Sequence, residues 1–242
     1  MALRHLRLIA VNIDGVLLND TFSPVIHRLV VRHGGEYTAE LERAVLSQPQ
    51  LRAAAATGLP GTPEEVVEAY FRERSAYLVD HPVRVMEGAG ALLARLRATG
   101  ARLICYGGLG RSHFDHHLGS CARYFDGPGY VCTDAFRPGV REIAEDVFGV
   151  RPCHALFIDD VARVAEAARE LGAAFIGHPT SYEHSFQREL MHRAGVRHLV
   201  DSLGQIDERL LRIVDAEAAA GRQWRGAAAA PAVSGGPVCG SA

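Results

Sequence analysis

The chain has 242 residues, 48% of them hydrophobic, which is enough for one substantial core with an inserted subdomain. Its formal net charge of -2 excludes the strongly basic surface that binds nucleic acids or acidic membranes, so we expect neither partner. The five cysteines contain no Cys-x-x-Cys pair, which argues against a disulfide framework and a zinc site. We therefore expect the cysteines to be reduced thiols. We also expect a cytoplasmic location, because no apolar run has the length of a signal segment or a membrane span.

The first predicted element is a short apolar strand that ends in polar residues. The run from Leu8 to Val11 is followed by Asn12, Asp14 and Gly15. This order is typical of a buried parallel strand that delivers side chains to a site at its carboxyl end. Because side chains alternate along a strand, Asn12 and Asp14 point the same way, and Gly15 permits a sharp turn. The sequence therefore predicts a site around Asn12 and Asp14.

A helical insert is predicted next, because apolar residues recur at three- and four-residue spacing with glycine and proline breakers between the segments. Its predicted helices cover residues 24–34, 39–47 and 63–79. Thr62 and Glu65 have the spacing of a capping box, which places a helix N-terminus at Thr62. We assign residues 19–83 to this insert.

Strands and helices alternate from His81 onward. The predicted strands cover residues 101–106, 130–133, 155–158, 174–176 and 198–200. The predicted helices cover residues 87–99, 112–117, 140–148, 161–171 and 185–194. Repeated strand and helix units predict an α/β fold, a parallel sheet with helices on both faces. The segment 215–242 is rich in alanine and glycine and is predicted to be a disordered tail.

The end of the first strand resembles the first motif of the haloacid dehalogenase superfamily, Asp-x-Asp-Gly followed by an apolar pair. In that family the first Asp is the nucleophile that becomes aspartyl-phosphate, the second is the general acid/base, and both help hold Mg²⁺. Here Asn12 stands at the nucleophile position and Asp14 at the acid/base position. A neutral amide is a poor nucleophile and a weaker metal ligand than a carboxylate.

The resemblance implies a Rossmann-like core with a small α-helical cap inserted after the first strand. Its core covers residues 1–18 and 84–214, and the cap is the insert 19–83. In the family, such a cap closes over the site and selects the substrate. We therefore expect the insert to face Asn12.

Two stretches match the second and third motifs of the family in order. Gly107 stands where the family has the Ser or Thr that binds the phosphoryl group, so the backbone N–H groups of Gly107 and Gly108 would bind the anion; a tight turn is the alternative. Arg137 takes the place of the family's Lys and keeps its positive charge; a surface arginine before a loop proline is the alternative.

The fourth motif is the clearest match. In the family's Asp-Asp form the second Asp binds magnesium, so Asp160 corresponds to a metal ligand, with Asp159 as a further candidate. Val164 replaces the Asn that orients the site in the family. Asp14 and Asp160 together predict a Mg²⁺ site of lowered affinity, whereas acids at a helix N-terminus are the alternative.

Histidines are frequent in the predicted helix after Gly110. His113 and His117 share one face of that helix, as metal ligands would, but no third partner is evident in the sequence. We therefore favour a solvated helix over a metal site.

These departures from the family pattern decide the predicted function. We expect a haloacid dehalogenase-like protein that is impaired or inactive in aspartyl-phosphate chemistry. It would bind a small phosphorylated molecule or a protein partner, in a binding or regulatory role. The alternative is an active magnesium-dependent phosphatase on a small phosphorylated metabolite, with water in place of the missing nucleophile. A non-phosphoryl enzyme on the same fold is the third hypothesis.

Overall fold

The computed structural model describes residues 2–225, and within this range six parallel strands form one sheet in the order β3-β2-β1-β4-β5-β6. The strands are β1 Leu8–Asn12, β2 Arg102–Gly107, β3 Tyr130–Cys132, β4 Ala155–Asp159, β5 Ala174–Gly177 and β6 His198–Leu199. β1 pairs with β2 on one side and β4 on the other, and all of its residues are buried. The predicted parallel sheet is confirmed.

Helices cover both faces of the sheet, as predicted. The α-helices of the described range are α1 Ser23–Arg32, α2 Ala39–Val45, α3 Gln50–Ala56, α4 Pro63–Asp80, α5 Ala89–Arg97, α6 Arg111–Leu118, α7 Ala162–Glu170, α8 Gln187–Ala194 and α9 Glu208–Ala219. Alternate residues of β1 belong to two hydrophobic clusters. Ile9 and Val11 pack in the cluster that includes α5, α6 and α9, whereas Leu8 and Ala10 pack in the one that includes α7 and α8. The alternation of side chains along β1 therefore supplies both halves of the core.

The helices α1 to α4 lie between β1 and α5 in the chain. Thr62 begins α4 with the expected capping box, in which Thr62 and Glu65 exchange hydrogen bonds. One helix, α3, was not predicted, because its run of four alanines has no apolar periodicity. The predicted helix at residues 140–148 is a short π-helix, Glu142–Val147.

Two of the contacts that join the insert to the core come from α2. Arg43 of α2 makes a forked ion pair with Glu166 of α7, at 2.8 and 2.7 Å. Glu42 is fully buried and accepts hydrogen bonds from the Ser185 hydroxyl at 2.8 Å and the Phe186 N–H at 2.5 Å. A buried carboxylate needs such donors, so α2 is held against the loop that precedes α8.

The prediction that disorder begins at residue 215 is wrong for residues 215–225. Asp215 lies within α9, and its carboxylate accepts the N–H groups of Arg4, His5 and Leu6 at 2.8 to 3.0 Å. Trp224 stacks on Phe175 of β5. These tertiary contacts order a segment whose composition favours disorder. The remainder of the predicted tail, residues 226–242, lies outside the described residues.

Among residues 2–225, the structure has no helix that is both long and apolar enough to span a bilayer. The cytoplasmic location stays a prediction. Cys105, Cys121 and Cys132 are free thiols, as expected.

We predict that Asp215→Ala lowers the free energy of unfolding by about 2–4 kcal/mol, because three N–H groups that lead into β1 lose a charged acceptor. Urea unfolding followed by circular dichroism measures the change. Glu208→Ala, at an exposed position of the same helix, is the control and should change stability by less than about 0.5 kcal/mol. Equal effects of the two substitutions would contradict the role of Asp215.

Candidate functional site

The carboxyl ends of three neighbouring strands bring the predicted site residues together. Asn12 ends β1 and lies opposite Tyr106 of β2 in the sheet register. Asp159 ends β4 on the other side of β1. Parallel strands place their carboxyl ends at one edge, so these three side chains converge there.

Asp159 is the hydrogen-bond centre of this edge. Its Oδ2 accepts the Asn12 amide N–H at 2.7 Å and the Tyr106 hydroxyl at 2.5 Å, and its Oδ1 accepts the Val161 N–H at 2.7 Å. Burial raises the pKa of the Asp159 carboxyl, and these hydrogen bonds oppose the increase. Burial also keeps the Tyr106 pKa well above its usual range, so the phenol remains a neutral donor. The three donors occupy Asp159, which leaves it little capacity as a metal ligand.

Asp160 follows at the start of the next loop and lies against Gly15. A β-carbon added at Gly15 would stand 2.0 Å from Oδ2 of Asp160, and Gly15 has a φ of 82°, which favours glycine. Only glycine thus allows the turn after Asp14 to approach Asp160. Burial and then the neighbouring carboxylates of Asp159 and Asp20 raise the pKa of Asp160 well above its usual range.

The two predicted phosphate-binding glycines have different environments. A β-carbon at Gly107 would lie 2.4 Å from Cγ2 of Ile13, so Ile13 fills the space that a Ser or Thr side chain would need. A β-carbon at Gly108 would lie 2.2 Å from Nη1 of Arg137, so the guanidinium packs directly on the Gly108 backbone. Arg137 is half-buried, and its Nε has no hydrogen-bond partner among the described residues. Gly108 and Arg137 therefore form one positively charged surface.

Asp14 pairs with a histidine that sequence analysis placed in a solvated helix. Nε2 of His113 lies 2.9 Å from Oδ1 of Asp14, and each side chain is only 11% exposed. The interpretation of a solvated helix is therefore wrong for His113, whereas it holds for His116, which is exposed. The fold brings α6 over the end of β1, and no sequence spacing signals that contact.

Most of the predicted site residues line one cavity of about 130 Å³. Its floor includes Asn12, Asp14, Gly108, Arg137 and Asp160, and its walls continue into the helical insert. Gly107 and Asp159 do not contribute to the lining and lie behind this floor. The structure thus gathers five of the seven predicted residues around one space.

The predicted magnesium site depends on the carboxylates that line the cavity. Among residues 2–225, no group of three or more His, Cys, Asp or Glu side chains is arranged to hold a metal ion. Three carboxylates line the cavity, those of Asp14, Asp160 and Asp20, and the first two are the predicted ligands. One or two carboxylates with water and substrate phosphate are a usual Mg²⁺ environment. The residues present therefore fit a magnesium ion that a bound phosphate helps to hold.

Four residues of the site were not predicted as such, and one of them, His113, had been assigned to a solvated helix. Tyr106 and His113 contact the predicted acids, while Asp20 and Tyr70 line the cavity. Only Tyr106 carried a usable signal, since it ends the strand predicted beside Asn12. The other three depend on how the insert and α6 pack.

Comparison with known proteins identifies the fold. No protein-family model and no curated protein sequence matches this chain. Similar solved structures include a haloacid dehalogenase-like protein of unknown function from Agrobacterium tumefaciens, at 18% identity and a TM-score of 0.60 over 88% of this chain and 99% of that one. A putative beta-phosphoglucomutase from Bacteroides vulgatus has 18% identity and a TM-score of 0.65, over 88% and 90% of the two chains. A hydrolase from Deinococcus radiodurans with bound phosphate and sodium has 19% identity and a TM-score of 0.56, over 89% and 97%.

We predict that Asp160→Asn raises the melting temperature at neutral pH in the presence of EDTA. Because the folded pKa of Asp160 is raised, deprotonation favours the unfolded chain, so wild-type stability falls as pH rises through that pKa. The variant has no carboxyl group to deprotonate at this position, so its stability does not fall in this way. Its gain in melting temperature over the wild type should therefore be largest at pH 7–8 and shrink towards about pH 4, near the pKa of an Asp in the unfolded chain. Each kcal/mol corresponds to roughly 2–4 °C in a chain of this size. Calorimetry across this pH range measures the difference.

Asp146→Asn, at an exposed acid, is the matched control and should show no pH-dependent gain. An advantage of Asp160→Asn that is the same at pH 4 and pH 8 would contradict the assignment.

Proposed function

We propose that this chain, which has the fold of haloacid dehalogenase-like proteins, binds a small phosphorylated molecule without forming an aspartyl-phosphate. The observation that carries the proposal is the hydrogen bond from the Asn12 amide to Asp159, at 2.7 Å. The Asn12 amide nitrogen is engaged as the donor to a buried carboxylate, so it helps to hold the strand ends together. The amide also has no anionic lone pair to attack phosphorus.

Arg137 would bind the anionic end of the ligand. Its guanidinium lies on the Gly108 backbone beside the cavity, and its Nε is buried without a partner in the described part of the chain. A phosphate oxygen would complete that donor, and a guanidinium binds two phosphate oxygens in a fork. The phosphate bound in the structure from Deinococcus radiodurans is in line with this ligand class.

Asp14 and Asp160 would hold Mg²⁺ together with the phosphate. Bound there, the ion would offset the mutual repulsion of the acids and polarise the phosphate. His113 orients Asp14 through its hydrogen bond of 2.9 Å. This pair keeps a general acid/base group at the site, which is the observation that favours the second candidate, an active magnesium-dependent phosphatase in which water attacks directly.

We predict that inorganic phosphate with Mg²⁺ raises the melting temperature of the wild type by mass action, while phosphate esters are not hydrolysed. Differential scanning fluorimetry and phosphate release measure the two results. Arg137→Ala should abolish the thermal shift, and Arg137→Lys should retain part of it because the charge remains. Arg141→Ala, at an exposed arginine, is the control. Hydrolysis by the wild type that is lost in Asp14→Ala would favour the phosphatase and overturn the proposal.

We predict that Asn12→Asp alone destabilises the protein by about 2–4 kcal/mol, because two buried carboxylates then face each other at the hydrogen-bond distance of the native pair. The exchanged pair, Asn12→Asp with Asp159→Asn, should regain much of that stability because the amide again donates to the carboxylate. A double-mutant cycle from urea unfolding measures the coupling. If Asn12→Asp is as stable as the wild type, the Asn12–Asp159 hydrogen bond does not constrain the site.

A further inference from the structure

Four aromatic side chains meet where the insert contacts the core, and none of the four lines the cavity. His27 of α1 and Tyr37, which precedes α2, belong to the insert, whereas Tyr182 and His184 belong to the loop between β5 and α8. We name these four side chains the ring cluster. Nδ1 of His27 lies 2.8 Å from the Tyr182 hydroxyl. The His27 ring stacks on His184 with centroids 4.3 Å apart, and it meets Tyr37 edge-on at 5.1 Å.

The ring cluster lies on the helix that forms one wall of the cavity. Ile26, Leu29 and Val30 of α1 line that wall. His27 follows Ile26 directly, and its partners Tyr182 and His184 come from the core. The contacts of His27 therefore hold a wall of the cavity against residues 178–186 of the core.

The contact with Tyr182 suits a neutral His27. Burial raises the pKa of Tyr182, so the phenol keeps its proton and can donate it. A neutral His27 that carries its proton on Nε2 accepts this O–H at Nδ1. A protonated His27 has no acceptor nitrogen, so the phenol would have to stop donating and turn away its proton.

The surroundings of His27 also disfavour a positive charge on its ring. Burial first and then the neighbouring His184 lower the pKa of His27, while Glu183 opposes them. Glu183 is largely exposed, so water screens its charge. The other ionisable groups around the ring cluster are Asp20 before α1, Arg28 of α1, Glu42 of α2 and Tyr77 of α4.

We propose that the ring cluster is a pH-sensitive latch that fastens the insert to residues 178–186. Well above about pH 6.5, the ordinary pKa of a histidine, His27 is neutral whether the latch is closed or open, and its contacts keep the latch closed. The pKa of His27 is lower in the closed latch than in water. As pH falls below about 6.5, the open state therefore binds the proton more readily, and acid favours opening.

Glu42 acts on the same loop with the opposite sign. Burial raises the pKa of its carboxyl, and the hydrogen bonds from Phe186 and Ser185 oppose that increase. Protonation of Glu42 in acid removes a buried charge, so this residue alone would favour the closed contact as pH falls. A variant that cannot titrate at position 27 separates the two effects.

The pKa of His27 in the wild type, measured by NMR titration of its ring protons without phosphate, tests the latch directly. The signals are assigned by their absence in His27→Gln. The pKa should lie below 6.5, and it should rise towards that value in His184→Ala, because the stacked ring and its charge are then removed. A wild-type value at or above 6.5 would overturn the proposal.

Hydrogen exchange followed by mass spectrometry measures the opening itself, after correction for the intrinsic pH dependence of exchange. Between pH 7.5 and 5.0, the amides of α1 and residues 178–186 should lose protection by up to about tenfold for each unit that separates the open and closed pKa values of His27. The buried amides of β1 should keep their protection.

Two glutamine variants assign this change to His27. His27→Gln cannot titrate but keeps an acceptor for the Tyr182 hydroxyl, so it should lose the pH dependence. His192→Gln, at an exposed histidine of α8, is the matched control and should retain it. Equal protection of the wild type at both pH values, or an unchanged pH dependence in His27→Gln, would show that the ring cluster is not a latch. Neither measurement uses phosphate or Mg²⁺, so its outcome is independent of the proposed function.

Discussion

The buried carboxylate of Asp159 is the constraint on which the arrangement of the site depends. It lies at the end of β4 and accepts hydrogen bonds from Asn12 of β1 and Tyr106 of β2, so one acid joins the ends of three adjacent strands. A buried acid without donors would be costly, and the Asn12 amide meets part of that need. The amide at position 12 and the satisfaction of Asp159 are therefore linked by one hydrogen bond. An aspartate at position 12 would face Asp159 with a like charge.

The cavity has a charged end and a mainly apolar end, and each comes from a different part of the fold. The strand ends supply Asp14, Asp160 and Arg137, while the insert supplies a mainly apolar wall. The low dielectric of that wall strengthens the interactions of the charged groups below it, including the repulsion between acids. The raised pKa of Asp160 reflects burial first and then this repulsion. A cation or the Arg137 guanidinium lowers the cost of such a cluster.

The contacts of α2 help to hold the insert against the core. The Arg43–Glu166 ion pair is half-exposed and contributes little alone, as exposed pairs do. Glu42 is different, because it is fully buried and its donors come from the loop before α8. Losing those donors would leave an unpaired buried charge, so this contact sets the position of the insert more firmly than the ion pair.

The sequence by itself determined the parallel sheet, the helical insert and the order of the polar strand ends, because these follow from local periodicity and from short motifs. Asn12, Asp14, Arg137 and Asp160 were found in this way, since each follows or lies near a strand end. The resemblance favoured Asp160 over Asp159 as a metal ligand, and the tertiary structure supplies the physical reason, because Asp160 lines the cavity and Asp159 is buried behind it. The adjacent Asp159 and Asp160 are chemically identical in sequence, and they differ because Asn12 and Tyr106 reach only Asp159.

Other features depended on contacts between residues far apart in the chain. His113 meets Asp14 across 99 positions, and Asp215 binds the N–H groups before β1 across more than 200. Composition predicted disorder from residue 215, and these long-range hydrogen bonds overrode that local tendency. The hydroxyls of Ser47 and Tyr70, which have no partner within residues 2–225, likewise depend on how the helices of the insert pack. The local sequence pattern specifies the helices and strands. The site depends on which side chains are buried and which partners they meet, and these are properties of the folded chain.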